Sequence, residues 1–168
     1  MTDLDRLPPT ARLWLFTLDG AVPDALLDDV RAFCAGWSSH GRPVQAVADG
    51  LTGHVLAVAA LISDAEFNAG VSGCGIDAMQ RAVEAAADRH GLALAPALSV
   101  TYRDGSGAWQ TVARPAFRRL VGNGEVGPET RVLDLTPGTL GELREAGGPE
   151  RPAAESWHGP VFGLQAVA

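Results

Sequence analysis

The apolar positions along the chain change period several times, and each change marks an element. Residues 12 to 18 (RLWLFTL) are a short apolar and aromatic run closed by Asp19-Gly20, which predicts a first strand. Pro23 and Asp24 then open a helix. Its apolar positions Leu26, Leu27, Val30, Phe33, Cys34 and Trp37 keep the three-and-four spacing of one face, with Asp28, Asp29 and Arg31 on the other. Gly41 is expected as a left-handed cap to this helix, and Pro43 prevents its continuation. Residues 44 to 51 and 54 to 62 read as a hairpin about Thr52-Gly53. The second of these runs is apolar without a break, as a central strand covered on both faces would be. A polar loop, residues 63 to 72, leads into a second helix. Ile76, Met79, Val83, Ala86 or Ala87, and His90 mark its buried stripe, and Gly91 ends it.

After Pro96, residues 97 to 103 and 109 to 112 predict two strands joined at Asp104-Gly105. The order β-α-β-β-α-β predicts an α+β fold, a ferredoxin-like sandwich with an extra strand. Residues 1–112 are expected to form that core. Residues 113–168 add a short helix from Pro115 to Gly122, a strand at 131 to 135 (RVLDL) and a Gly/Pro-rich tail from Pro137, packed on the same domain.

Composition narrows the chemistry. The chain has 168 residues, and all 13 of its basic side chains are arginine. Without lysine there is no P-loop and no Schiff-base nucleophile. Twenty carboxylates bring the formal charge to −7, which argues against nucleic acid. Arg114, Arg118 and Arg119 form the only local basic cluster, explained at this level by a solvated helix face. Residues 1 to 9 carry no basic segment followed by an apolar one, so no signal peptide is expected. The longest apolar run, residues 55 to 62, falls far short of the ~20 residues needed to cross a bilayer. Cys34 and Cys74 are expected as free thiols in a reducing cytoplasm.

The stretch Gly70-Val71-Ser72-Gly73-Cys74-Gly75-Ile76-Asp77 carries the most chemistry. Small residues precede a helix whose first N–H groups are unsatisfied and whose end is partly positive. Cys74, placed there, is the best nucleophile or redox candidate in the chain. The alternative is a small residue in a glycine-rich cap, with Ser72 or Asp77 serving as N-cap. The segment also fits G-x-G-x-x-[GA], but residues 63 to 72 separate it from the preceding strand, and Asp88 falls inside a helix. A dinucleotide site is therefore rejected. Ser72 lacks the last glycine of a hydrolase elbow. Cys34 lies in an apolar stripe, where a packed thiol is expected. The four histidines show no metal spacing, so neither metal nor cofactor is expected. His40 and His158 each lie near a tryptophan, Trp37 and Trp157, which can wall a pocket or anchor a loop.

Three segments, Trp37 to Gly41 (WSSHG), Gly70 to Asp77 (GVSGCGID) and Glu155 to His158 (ESWH), together resemble a small bacterial family common in Bacteroidetes-type genomes. Its pattern is W-x-x-H-G, then a-S-G-C-S-I-D, then S-W-H. Members often carry the label "ABC transporter ATPase", which the missing lysine contradicts. The resemblance implies a cytosolic single-domain protein of unestablished activity. It points to Trp37, His40, Ser72, Gly73, Cys74, Asp77, Trp157 and His158 without assigning roles. Gly75 departs from the pattern, where serine is usual. Residues 117 to 132 (FRRLVGNGEVGPETRV) are similar to bacterial GYF-type modules, although the G-Y-F triplet is missing, and this likeness implies a small peptide-binding face.

Three functions follow. One is a thiol-dependent enzyme or redox protein, with Cys74 as nucleophile, His40 or His158 as base and Asp77 as orienting carboxylate. Another is a non-catalytic binding or assembly module that uses the Trp/His elements and residues 114 to 135. The third is a homodimeric scaffold. The residues favour a protein partner or homodimer over catalysis, with no nucleic acid and no membrane as partner.

Overall fold

A computed structural model describes residues 3–62 and 71–165. Residues 63 to 70, most of the expected polar loop together with Gly70, lie outside the described residues. In chain order the first elements are β1 (Arg12–Thr17), α1 (Asp24–Gly36), β2 (Ser38–Ser39), β3 (Arg42–Leu51), β4 (Val55–Ile62) and α2 (Gly73–Arg89). There follow β5 (Ser99–Arg103), β6 (Trp109–Ala113), α3 (Arg114–Gly122), β7 (Arg131–Leu133), α4 (Leu140–Glu145), β8 (Glu150–Pro152) and α5 (His158–Phe162). The protein is α+β, with two antiparallel four-stranded sheets among the described residues, and divides into two compact units. One comprises Met1–Leu94 with Pro137–Glu145, the other Ala95–Thr136 with Ala146–Ala168.

In the first unit the sheet order is β1-β4-β3-β2. The β3–β4 hairpin turns where the sequence predicts, with positive φ at Thr52 (52°) and Gly53 (81°). Successive side chains of β4 point to opposite faces, and both faces are covered. Leu56, Val58 and Ala60 pack with Leu26, Val30 and Cys34 of α1 and with Met79, Val83 and Ala86 of α2. Ala57 and Ala59 pack on the other side with Leu4, Leu7, Leu13, Leu140 and Leu143. The unbroken apolar run thus belongs to a doubly covered strand, as its composition predicts.

The expected order of strand, helix, strand, strand, helix is present in β1, α1, β3, β4 and α2. The expected fourth strand, β5, pairs with β6 and β7 in the other sheet. Its place beside β1 is taken by a single bridge between Leu18 and Leu94. Proline has no N–H to donate to a ladder, and Pro96 follows two residues after that bridge, where an edge strand would have to extend. The far end of the same edge is met by a bridge from Arg12 to Thr139.

Gly41 corrects another expectation. Helix α1 ends at Gly36, and Trp37 follows in extended conformation. Gly41 has the expected positive φ (74°), but it shares a two-residue hairpin turn with His40 (φ 52°) between β2 and β3. Glycine suits this turn because both of its positions need φ > 0.

The second unit has the order β6-β5-β7-β8. Val100, Tyr102, Phe117, Val126, Val132, Ala153 and Phe162 form its core. Glu150 joins its strands: the carboxylate takes a two-pronged hydrogen bond from Arg103 at 2.9 and 3.1 Å and another from Arg131 at 3.4 Å. The strand expected over residues 131 to 135 ends at Leu133, because the buried Asp134 carboxylate turns back to accept the Thr136 backbone N–H. The stretch expected as a tail contains α4, β8 and α5, each too short to leave a readable period. Among the described residues no helix is long and apolar enough to cross a membrane.

Candidate functional site

The cysteine-bearing segment and the Trp37–Gly41 segment meet through two serines. Ser72 is the N-cap of α2, and its hydroxyl accepts the Gly75 N–H at 3.2 Å. The buried Ser39 hydroxyl lies 2.9 Å from the Ser72 hydroxyl and accepts the Ser72 backbone N–H at 3.2 Å. A Cβ on Gly75 would come within 3.0 Å of Val71 Cγ1 and 3.3 Å of both hydroxyls. The glycine at this position therefore makes room for the serine pair. Ser39 was not singled out by sequence reasoning, since a serine next to another serine gives no periodic signal. Replacing Ser72 by alanine removes the cap and is expected to cost about 1 kcal/mol. Ser39→Ala should cost a similar amount, and the double variant less than the sum, as read from urea midpoints.

Around this clasp the predicted residues fall in different environments. Gly73 opens α2, and Cys74 and Asp77 are exposed on its first turns. His40 is exposed at the hairpin turn. Among the described residues neither the Cys74 nor the His40 side chain has a hydrogen-bond partner. Trp37 is 4% exposed and packs against Trp14 and Phe33, and its indole N–H has no hydrogen-bond partner among the described residues. Cys34 is buried, and loss of solvent pushes its thiol up to about 11. His90 caps α2 and pairs at 2.8 Å with Asp29, whose carboxyl is held below its ordinary range chiefly by that hydrogen bond.

Trp157 and His158 belong to the second unit, whereas Trp37, His40, Ser72, Cys74 and Asp77 belong to the first. His158 is 1% exposed, stacked on Trp157 with ring centroids 3.8 Å apart. Ser156 donates its single hydroxyl proton to the Ala153 carbonyl at 2.9 Å. Its oxygen therefore accepts from His158 Nδ1, 2.8 Å away, which places the neutral ring's proton on Nδ1. Burial lowers the His158 pKa to about 4. The side chain anchors α5 as a neutral ring.

The second unit also carries two adjoining grooves. One, of about 300 Å³, is lined by Pro96, Leu98, Val112 and Pro115, among others. The other, of about 370 Å³, lies between α3 and α5 and is lined by Arg114, Pro115, Arg118, Arg119, Val161 and Phe162. They share Arg114 and Pro115. Arg114 lies 4.7 Å over the Trp157 ring, and Arg118 lies 5.4 Å over Phe162. The three arginines that sequence reasoning assigned to a solvated face are exposed, and two of them are ordered on aromatic rings. Leu98 and Val161 were not singled out, because nothing in a sequence tells an exposed apolar residue from a buried one.

Among the described residues no group of three or more His, Cys, Asp or Glu side chains could hold a metal ion. No protein-family model, curated protein or solved structure matches the chain.

Proposed function

We propose that this protein is a non-catalytic binding module whose second unit receives a peptide segment of a protein partner. The observation that carries the reading is the placement of exposed apolar side chains. Leu98, Leu135 and Val161 are the large hydrophobic residues exposed among the described residues, and all three belong to the second unit. Leu98 is 69% exposed at positive φ (65°), a conformation unfavourable for leucine, and lines the first groove; Val161 lines the second. An apolar side chain held out in strained backbone beside a concavity fits a surface that a partner covers. Thr111 and Val112, which line the first groove, belong to the sheet's edge strand β6, a suitable neighbour for extended chain. The likeness of residues 117 to 132 to GYF-type modules points the same way.

Cys74 supports a second reading, because it presents a free thiol in the first turn of a 17-residue helix. Panning a displayed random-peptide library on the purified protein, with binding to Leu98→Ser and Cys74→Ser compared afterwards, separates the two. Enriched peptides are expected to lose most of their affinity on Leu98→Ser and none on Cys74→Ser. Failure to enrich any peptide, or capture that depends on Cys74, overturns the binding reading.

A further inference from the structure

The groove between α3 and α5 differs from the rest of the surface in charge. Elsewhere many arginines meet carboxylates, Arg31 with Asp3, Asp28 and Asp49, Arg103 and Arg131 with Glu150, and Arg151 with Asp134, while Arg12, Arg81 and Arg144, which meet none among the described residues, stand on three different elements. Arg114, Arg118 and Arg119 have no carboxylate partner among the described residues, although the chain carries 20 acidic residues against 13 basic. Three uncompensated guanidinium groups on one nine-residue helix repel one another unless an anion from elsewhere relieves them. Stacking on Trp157 and Phe162 also limits the motion of two of these groups, so less side-chain freedom is lost on binding.

Resting on the binding reading above, we infer that the groove between α3 and α5 takes an acidic peptide segment, its carboxylates on Arg114, Arg118 and Arg119 and an apolar side chain of the same segment in the adjoining groove beside Leu98. Val161 and Phe162 supply apolar wall to the arginine groove, so the ligand is a chain with both carboxylates and hydrocarbon, not a small anion. A nucleic acid fits less well. Its phosphates would face a chain of net charge −7, and the Trp157 ring, an aromatic face of the kind that stacks bases, is already stacked by His158 and covered by Arg114.

The test is fluorescence anisotropy on the full chain with a fluorescein-labelled peptide in which leucine and phenylalanine are flanked by glutamates. The comparison probes are its glutamine counterpart, its counterpart with alanine for the two apolar residues, and a labelled thymidine oligonucleotide. The acidic peptide should bind roughly tenfold more tightly than either peptide counterpart, with the advantage over glutamine shrinking as salt is raised. Arg119→Glu, at a side chain with no partner among the described residues, should weaken it by a similar factor while the circular dichroism spectrum is unchanged. Arg118→Gln is the second variant, and it should weaken binding less. Equal binding of the acidic and glutamine peptides, indifference to Arg119→Glu, or tighter binding of the oligonucleotide overturns the inference. If library-selected peptides still depend on Leu98 in that event, the charge preference alone falls; if no peptide binds, the binding reading falls with it.

Discussion

Phe117→Ala is expected to remove about 3–5 kcal/mol of stability, enough to unfold most of the second unit at moderate urea. Phe117 is completely buried, and its ring is edge-on to Tyr102 at 5.5 Å and to Phe162 at 4.8 Å. It joins the sheet through Tyr102 to α5 through Phe162, so truncation empties the place where both meet. The aromatic geometry adds to the loss from area alone. Phe117→Leu keeps most of the volume and should cost clearly less. Equilibrium unfolding followed by tryptophan emission, with Trp109 and Trp157 reporting on this unit, measures both variants. A loss below about 1 kcal/mol for the alanine variant would mean that the site collapses around the gap, contrary to the packing described.

Acid should act on the same unit through His158. Its ordinary value is 6.5, and burial, aided by the nearby Arg114 charge and opposed by Asp134, lowers it to about 4 in the folded protein. The unfolded chain therefore binds more protons than the folded one between these values, and stability rises with pH across that window. The contribution is complete above about pH 6.5 and is lost as the pH falls toward 4. At about 1.4 kcal/mol per unit, the whole window is worth about 3–4 kcal/mol. His158→Gln cannot titrate, so it should flatten this slope even if it lowers stability at neutral pH. Asp104 is held down to about 2 chiefly by its hydrogen bonds to Ser106 and Gln110, and it loses its contribution only in stronger acid. Urea midpoints measured from pH 7 to 4 on both proteins check the slope. Equal slopes would show that another group titrates.

The parts of the fold legible in the sequence are those whose side chains report their surroundings. Leu26, Val30 and Cys34 declare a helix face, and the residues of β4 declare a strand covered twice, because burial selects composition at regular intervals. The partner of a strand is not declared in this way. β5 has the same apolar character whether it lies beside β1 or beside β6, and only Pro96, a residue that cannot donate, indicates that it leaves the first sheet. Helices α4 and α5 span six and five residues, and long-range contacts hold them where propensity alone would not.

At the candidate site the residue types were legible and their environments were not. Cys74, Asp77 and His40 carry the chemistry of a thiol site, but all three are exposed, and neither the Cys74 nor the His40 side chain has a hydrogen-bond partner among the described residues. His158, which a sequence offers equally as a base, is a neutral buried ring that secures a helix. The grooves of the second unit arise from Leu98 and Val161, two residues that composition alone would place inside.

The edge of β1 shapes how the protein must be made. That strand is bridged at one end by Leu94 and at the other by Thr139, and the sheet face behind it is covered by Leu140 and Leu143. Residues 95 to 136, lying between these positions in the chain, belong to the other unit, whose own later portion begins at Ala146. Each unit is thus interrupted by the other. A nascent chain cannot complete the first unit until residue 145 has been synthesised, after much of the second has emerged. No single cut in the gene separates them, so a shortened protein stopped at Thr136 would expose the apolar face that Leu140 and Leu143 normally cover.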